Sequence, residues 1–309
     1  MEHKSLGRSG LRVSAVGLGC NNFGQRCDQA QTRAVVAKAL DLGVTLFDTA
    51  DVYGGGGVSE EYLGKALESR RADVVVATKF GMPMGGGWKR GGSRRWVMQA
   101  AEDSLRRLGT DWIDLYQIHF PDSGTPIEET LRALDDLVRQ GKVRYLGCSN
   151  FAGWQVVEAA WAAKTASLSP FVSAQNFYNL LERGVEKELV PACNAYGLGV
   201  LPYFPLASGL LTGKYRRGQP APEGTRLAAP RFQGALTDKN FDKVEKLAAL
   251  AADAGHSLLE LAIGWLASQP HVPSVIAGAT KPEQVEQNVR AAEWKLSAAE
   301  LAKVNEVSA

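Results

Sequence analysis

VTLFDTADVY, residues 44–53, is the stretch on which the fold of this chain turns. An apolar run ends in a lone acid, Asp48, and Tyr53 follows five residues later, directly before the glycine run 54–57. Apolar residues leading into a single carboxylate are the pattern of a buried parallel strand whose carboxyl end opens into a site. Asp48 and Tyr53 are therefore expected to share a proton-transfer site.

Working outward, eight strand-like runs alternate with helical stretches. They begin near Ala15, Val44, Val74, Ile113, Val143, Phe171, Gly199 and Ser274. From the second to the seventh, successive starts lie 30, 39, 30, 28 and 28 residues apart, the regular βα spacing of parallel strands with right-handed crossovers. Helices are predicted over 31–42, 60–69, 95–108, 127–140, 153–164, 184–196, 240–253 and 258–268. Two more follow the last strand, over 282–292 and 297–307, the second opening on the capping box Ser-Ala-Ala-Glu. Thr125-Pro126 reads as a cap followed by a proline at the first helical position. Residues 4–13 read as a short hairpin. Eight units close into an α/β fold of the (β/α)8, or TIM, barrel type, with an N-terminal hairpin and two extra helices. A doubly wound open sheet is the alternative. The gap between the seventh and eighth strand starts, 75 residues, holds a basic, Pro/Gly-containing segment at 206–234, and loops of that length are usually functional.

The length of 309 residues suits one barrel, so residues 1–309 are read as a single domain. Lys plus Arg number 35 against 33 acids, a net charge of +2, which argues against a nucleic-acid binder. Cys20, Cys27, Cys148 and Cys193 form no CxxC pair, and no His/Cys grouping has metal-ligand spacing, so no metal site is expected. No apolar leader and no stretch of about 18 apolar residues appears, so a cytoplasmic location without a membrane partner is expected.

A barrel places its site at the carboxyl ends of its strands. The polar residues there are Asp48, Lys79, His119, Ser149 with Asn150, Gln175 and Tyr203. A lysine and a histidine behind apolar runs are costly if buried alone, but in one bowl they can partner each other. A tyrosine hydroxyl titrates near ~10 and becomes a useful acid when a cation lowers that value. Lys79 can do so, with Asp48 keeping the lysine charged and His119 steadying a developing oxyanion. Such a set suits protonation of a carbonyl oxygen as hydride reaches the carbon. It contains no nucleophile with its own base.

With these residues in view, the chain resembles the aldo-keto reductase family. The matching motifs run almost end to end: GLRVSAVGLG (10–19), FDTADVYGGG, ATKFG, DLYQIH, VRYLGCSNF, QNFYNLLER, PYFPLASGLLTGKY and VIAGATKPEQVEQN. The resemblance implies a reductase of aldehydes and ketones that binds an extended NADP(H) without a Rossmann fingerprint, and none occurs here. It implies Tyr53 as general acid and base, Lys79 and Asp48 as its tuning pair, and His119 as the group orienting the carbonyl. Ser149, Asn150 and Gln175 would clamp the carboxamide, and Tyr203 would stack on the ring. The run Phe204, Pro205, Leu206, Ser208 and Gly209 would follow the pyrophosphate. Cys20 and Asn21 would border the nucleotide, with Lys214 on a phosphate and Arg226 at the adenine ribose. Gly278, Thr280, Gln284, Gln287 and Asn288 would hold the adenosine. Phe23, Trp88 and Phe120 would line the substrate pocket.

One branch of the family has a lysine and an arginine where this chain has Gly278 and Gln284. The pattern is nearer the bacterial reductases and the potassium-channel β-subunits, so Arg226 and Lys281 are expected to carry NADP recognition, with NAD(H) left open. The other tryptophans (Trp112, Trp154, Trp161, Trp265, Trp294) are expected to fill helix-barrel contacts. Two other functions remain open: a nucleotide-sensing binding subunit, and an aldolase using Lys79 as a Schiff-base amine.

Overall fold

The architecture comes from a computed structural model that describes residues 1–308 and, at residue 231, the backbone alone. Two short strands, β1 (His3–Ser5) and β2 (Arg12–Ser14), pair antiparallel. Eight parallel strands follow: β3 (Val16–Gly19), β4 (Leu46–Asp48), β5 (Val75–Phe80), β6 (Ile113–Ile118), β7 (Val143–Ser149), β8 (Phe171–Phe177), β9 (Gly199–Tyr203) and β10 (Val275–Gly278). Their order is β10-β3-β4-β5-β6-β7-β8-β9, every neighbouring pair parallel, and β9 packs beside β10 to bring the ring nearly shut. This is the (β/α)8 barrel with its N-terminal hairpin; the open doubly wound sheet is ruled out.

Alternation along the strands fixes which side chains enter the bowl. Leu46, Val75, Ala77, Leu115, Leu201 and Ile276 share a cluster inside the barrel with Leu6 and Val13 of the hairpin. Phe47, Val76, Tyr116 and Val200 belong instead to the larger layer between strands and helices. A period of two therefore puts Asp48, Lys79, Gln117, His119, Tyr203 and Gly278 inside, one level above the apolar plug. The hairpin seals the floor, and the polar residues sit at the open rim.

Several helices start where the sequence offers a cap. Asp28 accepts from the backbone of Gln31 at 2.8 Å while Gln31 answers on Asp28 N at 3.0 Å, opening the helix Gln29–Asp41. Ser257 and Glu260 do the same for Leu258–Ala267, and Ser297 with Glu300 for Ala298–Ser308. Two expectations fail locally. The helix Ile127–Arg139 has Pro126 at its cap position with no side-chain bond, because Thr125 Oγ1 donates to Asp122 Oδ2 at 2.8 Å instead. The helix predicted over 184–196 is broken into a 3-10 turn, Gly184–Glu186, and a shorter helix, Leu189–Tyr196.

The long segment between β9 and the helix Asp238–Asp253 is not structureless. It contains three 3-10 turns, Ala207–Thr212, Arg226–Ala228 and Pro230–Ala235. Trp265 fills a helix-barrel contact as expected, but Trp154 and Trp161 are 59% and 52% exposed. Both lie on the outer face of the helix Gly153–Thr165, seven residues apart, where Trp161 Nε1 donates to Tyr196 OH at 2.9 Å. No single helix among the described residues is long and apolar enough to cross a membrane.

Candidate active site

Lys79 is fully buried, and its ammonium donates to Asp48 Oδ2 at 2.6 Å and to Thr49 O at 2.9 Å. The two strands deliver the pair directly, since Asp48 lies in register with Ala77, two residues before Lys79. Burial works against the lysine's charge, but Asp48 and Tyr53 outweigh it and hold the ammonium above its ordinary range. Such a lysine has no free amine for imine formation, which removes the support for the aldolase alternative.

Asp48 is also held on its other oxygen. Gln175 Nε2 donates to Oδ1 at 2.8 Å and Gln117 Nε2 at 3.3 Å. Gln117 is not the last polar residue of its strand, so the strand-end pattern passes over it. The signal was there: in DLYQIH, alternation puts Gln117 on the same face as His119. Room for Gln117 comes from Gly147, where a Cβ would stand 2.5 Å from Ser173 Oγ and 3.0 Å from Gln117 Cγ.

Tyr53 is partly buried in the turn beyond β4. Lys79 Nζ lies 5.2 Å from the centre of its ring, and the His119 ring meets it edge-on at 5.8 Å. Burial pushes the Tyr53 hydroxyl upward; the charge and hydrogen bond of Lys79 oppose this without overcoming it, and Asp48 adds to the rise. The expectation that Lys79 brings Tyr53 below its ordinary value is thus not met: desolvation wins, and the proton stays on. Gly54, Gly55, Gly56 and Gly57 all adopt positive φ. At Gly54 a Cβ would meet Ser59 N at 2.8 Å and Phe23 O at 2.9 Å, so only glycine lets the turn close.

His119 lies one residue past β6, with its backbone N donating to Phe80 O at 2.8 Å. Burial, then the Lys79 charge, depress its imidazole to about 3, so the ring is neutral across the physiological range. Its Nδ1 is buried without a partner.

The clamp residues come together. Ser149 Oγ donates to Gln175 O at 2.9 Å, and Asn150 Nδ2 donates to His119 O at 2.9 Å. Tyr203 OH donates to Asn150 Oδ1 at 2.7 Å, tying the ends of β6, β7 and β9 into one rim. One face of Tyr203 carries Phe177, stacked at 5.7 Å.

Beyond β9 the backbone itself is unusual. Phe204, Ala207 and Ser208 are non-glycine residues at φ of 52°, 46° and 59°, and Gly209 lies at 100°. Left-handed conformations in such a run build concave, anion-accepting backbone and persist only where the surroundings enforce them. Lys214 folds over this bend, its Nζ 3.2 Å from where a Cβ on Gly209 would lie. A cavity of about 220 Å³ adjoins it, lined by Asn21, Asn22, Arg26, Phe204, Thr225 and Arg226 among others. Arg226 Nη2 donates to Asn22 Oδ1 at 3.1 Å, and its guanidinium lies 5.1 Å from the Phe204 ring. After β10, the Gln284 side chain accepts from Thr280 N at 2.7 Å. Gly278 and Gln287 are exposed, Asn288 is buried, and Pro205 and Leu206 continue the belt. The positive side chains, the left-handed backbone and the cavity fit a phosphorylated nucleotide.

Two expected residues lie elsewhere. Phe23 is fully buried in the core, with its carbonyl against the Gly54 turn. Cys20 is also fully buried, its Sγ donating to Leu18 O, so only its neighbour Asn21 reaches the cavity. Phe120 and Trp88 are exposed. Phe120 stacks on His119 at 5.4 Å, and the Arg95 guanidinium lies 3.8 Å over the Trp88 ring.

Comparison with known proteins places this geometry. The aldo/keto reductase family matches residues 15–309. A probable voltage-gated potassium channel subunit beta of Oryza sativa subsp. japonica is 40% identical over 300 residues, covering 94% of this chain and 91% of the relative. An uncharacterized oxidoreductase of Bacillus subtilis (strain 168) is 38% identical over 318 aligned positions, covering 99% and 96%. An L-glyceraldehyde 3-phosphate reductase of Escherichia coli (strain K12) is 35% identical over 303, covering 94% and 87%. The site therefore sits in a known lineage, and the chain belongs to the aldo/keto reductase family.

Proposed function

We propose that this protein is an NADP(H)-dependent carbonyl reductase, reversible as an alcohol dehydrogenase, with Tyr53 as general acid and base. The observation that carries the reading is the buried Lys79–Asp48 ion pair beneath Tyr53, with a neutral His119 beside it. The nicotinamide, when bound, supplies the hydride. Neutral His119 has one N–H to donate to the carbonyl oxygen and so orients it. Tyr53 gives its proton to that oxygen as the alcohol forms. The Lys79 ammonium then stabilises the tyrosinate until solvent returns a proton. Asp48 keeps Lys79 charged, and Gln117 and Gln175 keep Asp48 in place.

Family membership supports an NAD(P)H-using oxidoreductase. The preference for NADP(H) rests on Lys214, Arg226 and Lys281 around the nucleotide rim. The exposed rings of Phe120 and Trp88, with Arg95, favour small aldehydes bearing an aromatic or anionic end. A panel of such aldehydes and ketones with NADPH, followed by absorbance loss, tests the reading. Wild type should exceed Tyr53→Phe by at least about 100-fold on one or more members, the usual weight of a general acid. Equal rates on every carbonyl would sink it.

The relatives named as channel β-subunits favour a second reading, a nucleotide-binding regulatory subunit. Tight NADPH binding without turnover, together with a larger partner retained through purification, would support it.

A further inference from the structure

Neither the barrel nor the proposed reaction uses the carboxyl of Asp51, although it lies between Asp48 and Tyr53 in the chain. Its backbone N donates to Lys79 O at 3.1 Å, fastening the turn to β5. Its side chain is 1% exposed, and both carboxyl oxygens are buried without a hydrogen-bond partner.

The groups around it explain why. Glu60, fully buried on the helix Val58–Leu67, accepts from Thr78 Oγ1 at 2.5 Å and from Arg107 Nε at 2.6 Å. Arg107, from the helix Arg94–Leu108, is steered there across Gly57, where a Cβ would come within 2.3 Å of Nε. Lys79, from β5, is committed to Asp48. Tyr116, from β6, faces the same region, with its hydroxyl also buried and unpartnered and Asp103 acting on it from beyond. Each cation near Asp51 is thus bound to another carboxylate. A buried carboxyl with no side-chain donor and no free counter-ion keeps its proton rather than its charge.

We infer that Asp51 is a positioning residue held as a neutral acid at neutral pH, and that its ionisation is the first alkaline event to unseat the Asp48–Tyr53 turn. Burial, then the negative charge of Glu60, push Asp51 up to about 8, with Arg107, the backbone N–H of Val52 and Lys79 opposing. An acid whose folded value is raised contributes stability that is complete below its unfolded value and is lost as pH rises through its folded value. On ionisation the proton passes to solvent, and a second negative charge is left beside Glu60.

The titration stands apart from the reductase reading; only its effect on turnover rests on that reading. Two measurements therefore separate them. Thermal midpoints of wild type and Asp51→Asn are compared between about pH 6 and about pH 9. Wild type should fall up to about pH 8 and level off above it, and Asp51→Asn should lose that slope; parallel curves overturn the inference. Infrared spectra of wild type should show a protonated-carboxyl band at neutral pH that vanishes at alkaline pH, weakened by Glu60→Gln, which removes the like charge. A carboxyl already ionised at pH 7 overturns the inference even if Asp51→Asn does not fold.

In turnover, each kcat profile is scaled to its own maximum. Wild type should lose about tenfold per pH unit above about pH 8, and Asp51→Asn should show that limb at least one unit higher. If both proteins reduce no carbonyl, the reductase reading fails while the midpoints still decide the role of Asp51. If both turn over with identical alkaline limbs, the positioning role fails and the reductase reading stands.

Discussion

Gln175 donates to the one oxygen of Asp48 that Lys79 leaves open, at 2.8 Å. Asp48 is therefore held from three strands, by Lys79 of β5, Gln117 of β6 and Gln175 of β8. Replacing Gln175 with leucine leaves a buried carboxylate oxygen short of a donor, which costs about 1–3 kcal/mol. Urea unfolding should show that loss, and kcat should drop at least about tenfold as the lysine loosens.

Lys79→Met should be more damaging than the loss of either amide. It strands Asp48 as a buried charge, and breaking a buried pair from one side costs about 3–5 kcal/mol. Asp48→Asn with Lys79→Met, which removes both charges, should recover much of that stability and none of the activity. Denaturant midpoints of the three variants form the cycle that checks it.

His119 should not titrate in the neutral range. Its folded value is depressed to about 3, against an ordinary ~6.5, so the folded state takes up its proton only in strong acid. For a depressed base, the stability is present above the unfolded value and drains away as pH falls through the window from ~6.5 towards about 3. His119→Gln should therefore flatten the acid side of the stability curve. In the wild type, the His119 ring carbon resonances should stay constant between about pH 5 and about pH 8.

The belt beyond β9 should answer through the cofactor rather than the chemistry. Gly209→Ala places a methyl 3.2 Å from Lys214 at a φ of 100°, a conformation alanine rarely adopts. KM for NADPH should rise at least about fivefold, more than about 1 kcal/mol of lost binding, with kcat changed much less. Arg226→Ala should raise KM for NADPH more than for NADH, if that side chain serves the extra phosphate.

Much of this was legible in the sequence because it depends on periodicity. The six strands from β4 to β9 lie where an apolar run ends in a polar residue, and Asp48, Lys79, His119, Ser149, Asn150 and Tyr203 share one rim because parallel strands all end at the same face. What stayed hidden depends on partners. The side Gln117 faces could be read by alternation with His119, but its bond to Asp48 could not. The upward push on Tyr53 comes from burial, which no motif records. Phe23 looked like a rim aromatic because it follows β3, but the chain turns it inward under Gly54. Trp154 and Trp161 looked like core, yet a helix surface can carry them outward. Asp51 reads in sequence as one more acid, and only the prior commitments of Arg107 and Lys79 make it a different species.

The floor of the barrel is a hairpin, and the rim is assembled from β4, β5, β6, β7, β8 and β9. No stretch of chain shorter than that span owns the chemistry. A refolding chain that has paired only its first strands has Asp48 and Lys79 but lacks Gln175, Asn150 and Tyr203, so it cannot turn over. On the proposed reading, regain of activity would time the arrival of β9 against β8, a clock for ring assembly that needs no attached label.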